Sequence, residues 1–389
     1  MRLCSVSDVQ EGMVLGKSIY QANNQLLLGA GYRISSIIKE KLVEKGYTHI
    51  YIMEEGTDEV IPEDIISDEI RLQAKAKISD KVKKIEDAFK FCDISRTKAL
   101  DLLENGYLKN INITYDFRNL IEEIMKDISD VGSKFLNTVM IKSKDSYFVD
   151  HAINSTVLSI IIGKKYKFIK PELSTLALGT FLHDIGKIII DRLKKDDEDN
   201  EDKLYKEHPT FGYLLLKNDS NVSPMVSQIV NQHHESQDGR GFPIGLKGQN
   251  LPPVKNDQGR KKGLIFRLAE ICSVANAYDN LVLNPNADEK LSPQDVVKKM
   301  IANAGKVYNK DIIKTLSQVI AVFPSGAYVK ITNLIDPSLI GSYGVVVKVN
   351  EEDFSKPIII ITTNKFNKKI KPVILDTSKL KVVELQLII

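Results

Sequence analysis

The chain has 389 residues, 43% hydrophobic and 27% charged, which suits a soluble globular protein of two or three domains. Its net charge of +3 is too small to require a nucleic-acid polymer or an acidic membrane as partner. Three scattered cysteines argue against a disulfide framework, and no apolar run approaches the length of a membrane span.

Residues 1–60 read as a small α/β module. Residues 13–19 and 25–28 are short strand-like runs around a turn, 35–45 have helical spacing, and 47–53 alternate as a strand does. His49 is expected as a surface or half-buried strand residue. The opening MRLCSVSDVQEGMVLG lacks a basic segment followed by an apolar block, so a cytoplasmic protein is expected. Residues 61–140 read as a helical linker region. Ile66, Ile70, Ala74, Ile78, Val82, Ile85 and Phe89 form one apolar stripe over 62–92, and a second runs from Phe117 to Phe135 within 115–140. Such stripes suit packing within the chain and would also suit a homodimer.

Residues 141–320 read as almost entirely helical, with helices expected over 150–166, 173–182, 206–217, 225–234 and 263–281 and an acidic solvated loop over 191–202. From 321 to 389 the texture changes. Runs at 327–332, 344–349, 357–363 and 373–375 are apolar and rich in β-branched residues, separated by Gly, Asn, Asp and Pro. Lys365, Lys368, Lys369 and Lys371, with only Phe366 among them, are expected at a solvated hairpin tip. The fold class is therefore mainly α, a helical core domain between a small N-terminal α/β module and a small C-terminal β-rich domain.

Five of the six histidines, His151, His183, His208, His233 and His234, fall in the helical region, and Asp184 directly follows His183. Imidazole and carboxylate without cysteine is the donor set of a catalytic divalent-metal site rather than a structural one. Neighbours at the end of a helix diverge by about 100°. His183 and Asp184 can serve one centre only if it lies in the angle between them, as two ions bridged by the Asp184 carboxylate would. Lys187 stands where a phosphate-binding cation would. A glycine-rich turn with Asp238, Gly239, Gly241, Pro243, Gly245 and Gly248 follows the paired histidines and keeps the backbone close to whatever lies beside it. These residues point to a metal-dependent phosphohydrolase.

LHDIGK at 182–187 and HHESQDGRGFPIGLKG at 233–248 closely resemble the HD-GYP family, a branch of the HD-domain phosphohydrolases. A lone His151, His208 followed by Pro209, and a helix ending in ANAYDN extend the likeness from about 147 to 281. The resemblance implies an HD-type helical core and hydrolysis of the bacterial messenger cyclic di-GMP, or a related dinucleotide, to pGpG or GMP. It implies two divalent ions, iron or manganese, with nickel or zinc as alternatives. The implied ligands are His151, His183, Asp184, His208, His233, His234 and Asn276, with Asp184 and Lys187 catalytic. Lys187, Asp238, Gly239, Gly241, Phe242 and Pro243 are the implied substrate contacts. The flanking modules resemble segments often found around such domains.

Four positions depart from the family's pattern. Asn276 replaces a ligating Asp, with Asp279 as an alternative donor one helical turn on. Tyr147 stands where members with three metals place a Glu, Phe242 replaces the Tyr of GYP, and 282–289 lack the family's basic segment. These departures support an alternative function, a degenerate HD-GYP domain that binds metal or nucleotide as a regulatory module with little turnover.

Overall fold

The computed structural model describes all residues except 22–24, 63–64, 90–94, 109–113, 131–141, 145, 192, 194–200, 255–262 and 389. At the N-terminus, β1 (Arg2–Ser5) pairs antiparallel with β4 (His49–Ile52), and β2 (Ile19–Tyr20) with β3 (Leu26–Leu28). Between them runs α1 (Ser36–Glu44), whose first turn is capped by the Ser35 side chain accepting from the Ile38 N–H. The strand expected over 13–19 shrinks to Ile19, because Val14 and Leu15 make only isolated bridges, to Arg33 and Ile52. Strand β4 is covered on both faces. Ile50 and Ile52 enter the module's own core, whereas Tyr51 enters the core of the helices that follow. By the period of two, His49 shares the face of Tyr51, and it is 4% exposed rather than at the surface.

The linker region contributes α2 (Asp68–Phe89), α3 (Arg96–Glu104) and α4 (Tyr115–Asp130). The stripe expected beyond Asp130 lies outside the described residues, and α3 was not foreseen. Ile66, Ile70, Ala74, Ile78 and Ile85, with Phe117, Leu120, Ile121, Ile124 and Ile128 of α4, join the main core. The described parts of both stripes are thus covered within one chain.

The centre of that core is α5 (Tyr147–Lys165), buried without a break from Asp150 to Gly163. It packs on α6 (Lys170–Phe181) and α11 (Arg267–Leu281). Around them lie α7 (Lys187–Ile190), α8 (Glu201–Tyr205), α9 (His208–Lys217), α10 (Pro224–Gln232), α12 (Pro293–Ala302) and α13 (Lys310–Ser317). Pro209 and Pro224 start α9 and α10, where a missing N–H costs nothing. Of the acidic loop expected over 191–202, most lies outside the described residues, and its end is the start of α8.

The C-terminal region is a five-stranded antiparallel sheet of order β8-β7-β6-β5-β9: β5 (Tyr328–Leu334), β6 (Tyr343–Lys348), β7 (Ile358–Thr363), β8 (Lys369–Asp376) and β9 (Val383–Ile388). Its core holds Val329, Ile331, Val346, Ile359 and Ile361. Lys365 and Lys368 lie in the exposed β7–β8 turn, as expected of a solvated hairpin tip. The protein is mainly α with small modules at both ends. Among the described residues no helix is long and apolar enough to cross a membrane.

Candidate metal centre

Four elements converge on Asp184. His183 and Asp184 sit in the turn between α6 and α7 rather than on the helix end that was expected, so their side chains are not held to helical divergence. Gly186 in that turn lets α9 approach closely, since a Cβ there would lie 2.0 Å from the carbonyl oxygen of His208. His151 comes from the first turn of α5, His208 opens α9, His233 caps α10 and His234 follows it.

Three rings are oriented by the same device. Nδ1 of His183, His208 and His233 lies 2.6, 2.6 and 2.7 Å from the carbonyl oxygens of Thr180, Tyr205 and Val230. A carbonyl only accepts, so each Nδ1 carries the proton and each Nε2 presents a lone pair. His151 Nδ1 is held by the Asp279 carboxylate at 2.8 Å. Burial pushes the His183 and His234 rings well below the ordinary histidine range and His233 down to about 4, so they stand neutral, as ligands must.

The Nε2 atoms then meet in two groups. His151 Nε2 lies 3.1 Å from His183 Nε2 and 3.1 Å from Asn276 Oδ1, and His208 Nε2 lies 3.1 Å from His233 Nε2. Lone pairs facing each other at that distance repel unless a cation lies between them. Neighbouring donors about 2.1 Å from one ion would stand about 3 Å apart in octahedral geometry, so the side chains present fit divalent ions. Asp184 joins the groups. Its Oδ2 faces His183 at 3.4 Å and His151 at 3.8 Å, while Oδ1 faces His208 at 3.2 Å and His233 at 3.7 Å. Oδ1 is buried and makes no hydrogen bond despite the nearby His208 ring, and His234 Nε2 is likewise buried without a partner. Ligand atoms of Asp184, His208, His233 and His234 lie within 4.8 Å of one another, and so do those of His151, His183 and Asp184.

Burial opposes charge on Asp184, yet the Lys187 ammonium beside it holds its carboxyl well below the usual carboxylate range. Lys187 Nζ lies 2.6 Å from Asp184 Oδ2, and that contact keeps the lysine charged against its own burial. The same ammonium stands 5.3 Å over the Tyr205 ring. Phe242 stacks on His234 with ring centres 4.5 Å apart. Behind Phe242, the carboxylate of Glu235 accepts from the backbone N–H groups of Ile244, Gly245 and Leu246 and draws the glycine-rich turn around itself. Gly241 is needed where the turn crosses its own start, because a Cβ would lie 2.4 Å from Ser236 N. Gly239 takes φ 78°. Asp238, expected to touch substrate, accepts from Ser236 Oγ at 2.6 Å and from the Arg240 N–H at 3.0 Å, the pattern of a turn-forming side chain. Pro243 follows Phe242 in the same turn.

Asn276 occupies the position beside His151, and Asp279 does not compete for it. Both oxygens of Asp279 are engaged, one by His151 and the other by Asn154 at 3.2 Å and Lys142 at 3.3 Å. Asn276 Oδ1 accepts from Asn280 Nδ2 at 2.5 Å, and Asn280 Oδ1 accepts from the Tyr147 hydroxyl at 2.6 Å. The Tyr147 ring stacks on His151 with an interplanar angle of 1°. Roles for Tyr205, Asn280, Asn154 and Lys142 had no signal in the sequence, because each comes from contacts between distant segments. After α11, Lys290 turns back on its own loop, donating to the carbonyl oxygens of Asn284 and Ala287.

Residues 136–312 match the family described as HD domain. Over 277 residues the chain is 22% identical to a cyclic di-GMP phosphodiesterase of Pseudomonas aeruginosa, covering 70% of this chain and 62% of that protein. It is 23% identical over 227 residues to the cyclic di-GMP phosphodiesterase PdeB of Borreliella burgdorferi, covering 56% of this chain and 53% of the relative. A 3'3'-cGAMP-specific phosphodiesterase of Vibrio cholerae is 20% identical over 216 residues, covering 54% of this chain and 38% of its own length. The chain thus spans under two thirds of the length of these curated relatives. Among solved structures, an HDG"Y"P protein from Bdellovibrio bacteriovorus aligns with 18% identity and a TM-score of 0.40, covering 82% of this chain and 98% of its own. The central helical region of this chain thus matches the HD domain over residues 136–312, and the curated relatives to which the chain is similar are cyclic-dinucleotide phosphodiesterases.

Proposed function

We propose that the chain is a metal-dependent phosphodiesterase hydrolysing cyclic di-GMP, or a closely related cyclic dinucleotide, to pGpG or GMP. The observation that carries this reading is the Asp184 carboxylate, whose two oxygens face two separate groups of histidine nitrogens. His151, His183 and Asn276 would hold one divalent ion and His208, His233 and His234 a second, iron or manganese, with Asp184 between them. Such ions would polarise a phosphodiester and acidify a water molecule. Lys187 supplies a positive charge beside Asp184 for the non-bridging phosphate oxygens. Tyr205 and Phe242 offer ring faces on which a base could stack. The relatives' names support a cyclic dinucleotide as the substrate class.

A regulatory module with little turnover is the second reading. It is favoured by the neutral Asn276 and by Lys290, which is tied to its own loop instead of reaching toward a ligand. One experiment separates the two. Protein purified without a chelating column is loaded with manganese, its metal content measured, and cyclic di-GMP hydrolysis followed. Turnover that falls at least about a hundredfold in Asp184→Asn is expected, since even outer-sphere partners of a metal site are worth ten- to a hundredfold. Metal uptake without hydrolysis of cyclic di-GMP or 3'3'-cGAMP would leave the regulatory reading standing.

A further inference from the structure

Behind His151, on the side away from the other ligand-type residues, a buried polar chain leaves the centre and ends on a different part of the molecule. His151 Nδ1 meets Asp279 Oδ2 at 2.8 Å, and Asp279 Oδ1 accepts from Asn154 Nδ2 at 3.2 Å. The Asn154 oxygen accepts in turn from Arg71 Nη1 at 3.2 Å. Arg71 belongs to α2, the linker helix that leads out of the N-terminal module. Its side chain is 15% exposed, and that of Asp279 6%. One turn further along α2, Lys75 Nζ pairs at 3.1 Å with Asp150 Oδ1, an oxygen that Arg71 Nη1 also faces at 3.7 Å.

The amide of Asn154 cannot turn over in this setting, because its oxygen faces a cation and its N–H faces a carboxylate. The chain therefore has one direction and one geometry. In a low-dielectric interior, linked hydrogen bonds reinforce one another, and a lost end is felt along the line. A carboxylate behind a ligating imidazole fixes ring orientation and basicity. Here that carboxylate is itself fixed from α2.

We propose that Arg71 is a positioning residue for the metal centre, acting through Asn154 and Asp279 on the His151 ring and so tying metal affinity to the seating of α2 on α5. The inference rests on the reading of His151 as a ligand. It gives the N-terminal module a physical route to the centre, since a displacement of α2 that breaks the Arg71–Asn154 bond releases the support behind His151.

The test is manganese titration calorimetry on the full chain, with helical content followed by circular dichroism. Arg71→Met and Asn154→Leu are each expected to weaken the affected ion roughly three- to tenfold, less than the loss of a direct outer-sphere partner. The double variant should lose no more than the worse single, because both substitutions break the same line. Lys81→Met, which removes the 2.6 Å pair between α2 and Asp116 of α4 and leaves Arg71 and Asp150 untouched, should lower the melting temperature and leave affinity unchanged. Unchanged affinity in Arg71→Met, additive losses, or an equal loss in Lys81→Met overturns the proposal. Should the methionine variant fail to fold, the shorter Arg71→Gln carries the same expectation and the same refutation. A wild type that takes up no manganese removes the metal centre itself, a result distinct from unchanged affinity in a wild type that binds.

Discussion

At Asn276 one atom's identity sets the charge of the whole centre. A histidine that ligates a metal is neutral, so with ions bound Asp184 would be the single anion among the seven side chains placed around the two groups. An amide oxygen beside His151 Nε2 can still donate a lone pair, and the Asn280–Tyr147 pair keeps that oxygen turned inward. Asn276→Asp adds a charge without asking for new space, and the Asn280 N–H remains a suitable donor to it. The ion beside His151 should then bind about ten- to a hundredfold more tightly, given the leverage ligand charge has at such sites. Manganese titration calorimetry reads this directly. Equal affinities would place Asn276 outside the ion's reach. Asp279, which the sequence left open as the alternative donor, is expected to act only behind His151.

Strand β4 carries a buried histidine that has no hydrogen-bond partner among the described residues. Neither ring nitrogen of His49 makes a hydrogen bond, and burial pushes its pKa down to about 4, with Lys290 adding to that effect and Asp8 opposing it. In the unfolded chain the ring protonates near pH 6.5. Above that value both states are neutral and His49 costs no proton work. As pH falls from about 6.5 to 4 the unfolded state gains a proton that the folded state refuses, so stability drops by roughly 1.4 kcal/mol per unit, about 3 kcal/mol in all. His49→Leu should therefore be more stable than wild type, and the gap should widen as the buffer moves from pH 7.5 to 5. Urea midpoints of both proteins at the two pH values measure it, and the difference cancels the titration of the other histidines. A gap that stays constant would mean the ring is solvated.

The same strand shows why some elements could be read from sequence and others not. Alternation announced β4, yet alternation cannot say that a second layer covers its outer face, which is what buries His49. The stripes of α2 and α4 were legible because apolar period alone defines them. Strand β9 has that signal too, but its place is fixed by a distant pairing, Val329 opposite Leu387, which no local pattern encodes. At the site, the histidines and Asp184 stood out by residue type. The line Arg71–Asn154–Asp279 joins three ordinary polar residues from separate helices, so nothing in the chain order marks it.

Across the whole molecule, the two small modules are not independent appendages, because they pack on each other. The Leu3 N–H donates to the Gly326 oxygen at 2.7 Å, the Arg2 guanidinium stands 4.6 Å over the Tyr328 ring, and Val60 packs with Val345 and Ile360. Gly56, with φ 81°, lies so close to β8 that a Cβ would stand 2.3 Å from Pro372 Cγ. Both partners there are stiff. Pro372 is a ring, and a positive φ strains any side chain placed at 56. Gly56→Val should therefore push the C-terminal sheet off the N-terminal module, at a cost of about 1–3 kcal/mol from strain and overpacking. Since α2 leaves that same module, the seating of the sheet bears on the helix that supports His151. Calorimetry should show a single transition in wild type splitting in Gly56→Val, with earlier proteolytic cleavage between the helical core and β5. Manganese affinity separates two outcomes. A loss matching that of Arg71→Met means that the C-terminal sheet is coupled to the centre through α2, whereas unchanged affinity with a split transition confines its role to stability. An unsplit transition with unaltered proteolysis would show that the contact at Gly56 does not hold the modules together.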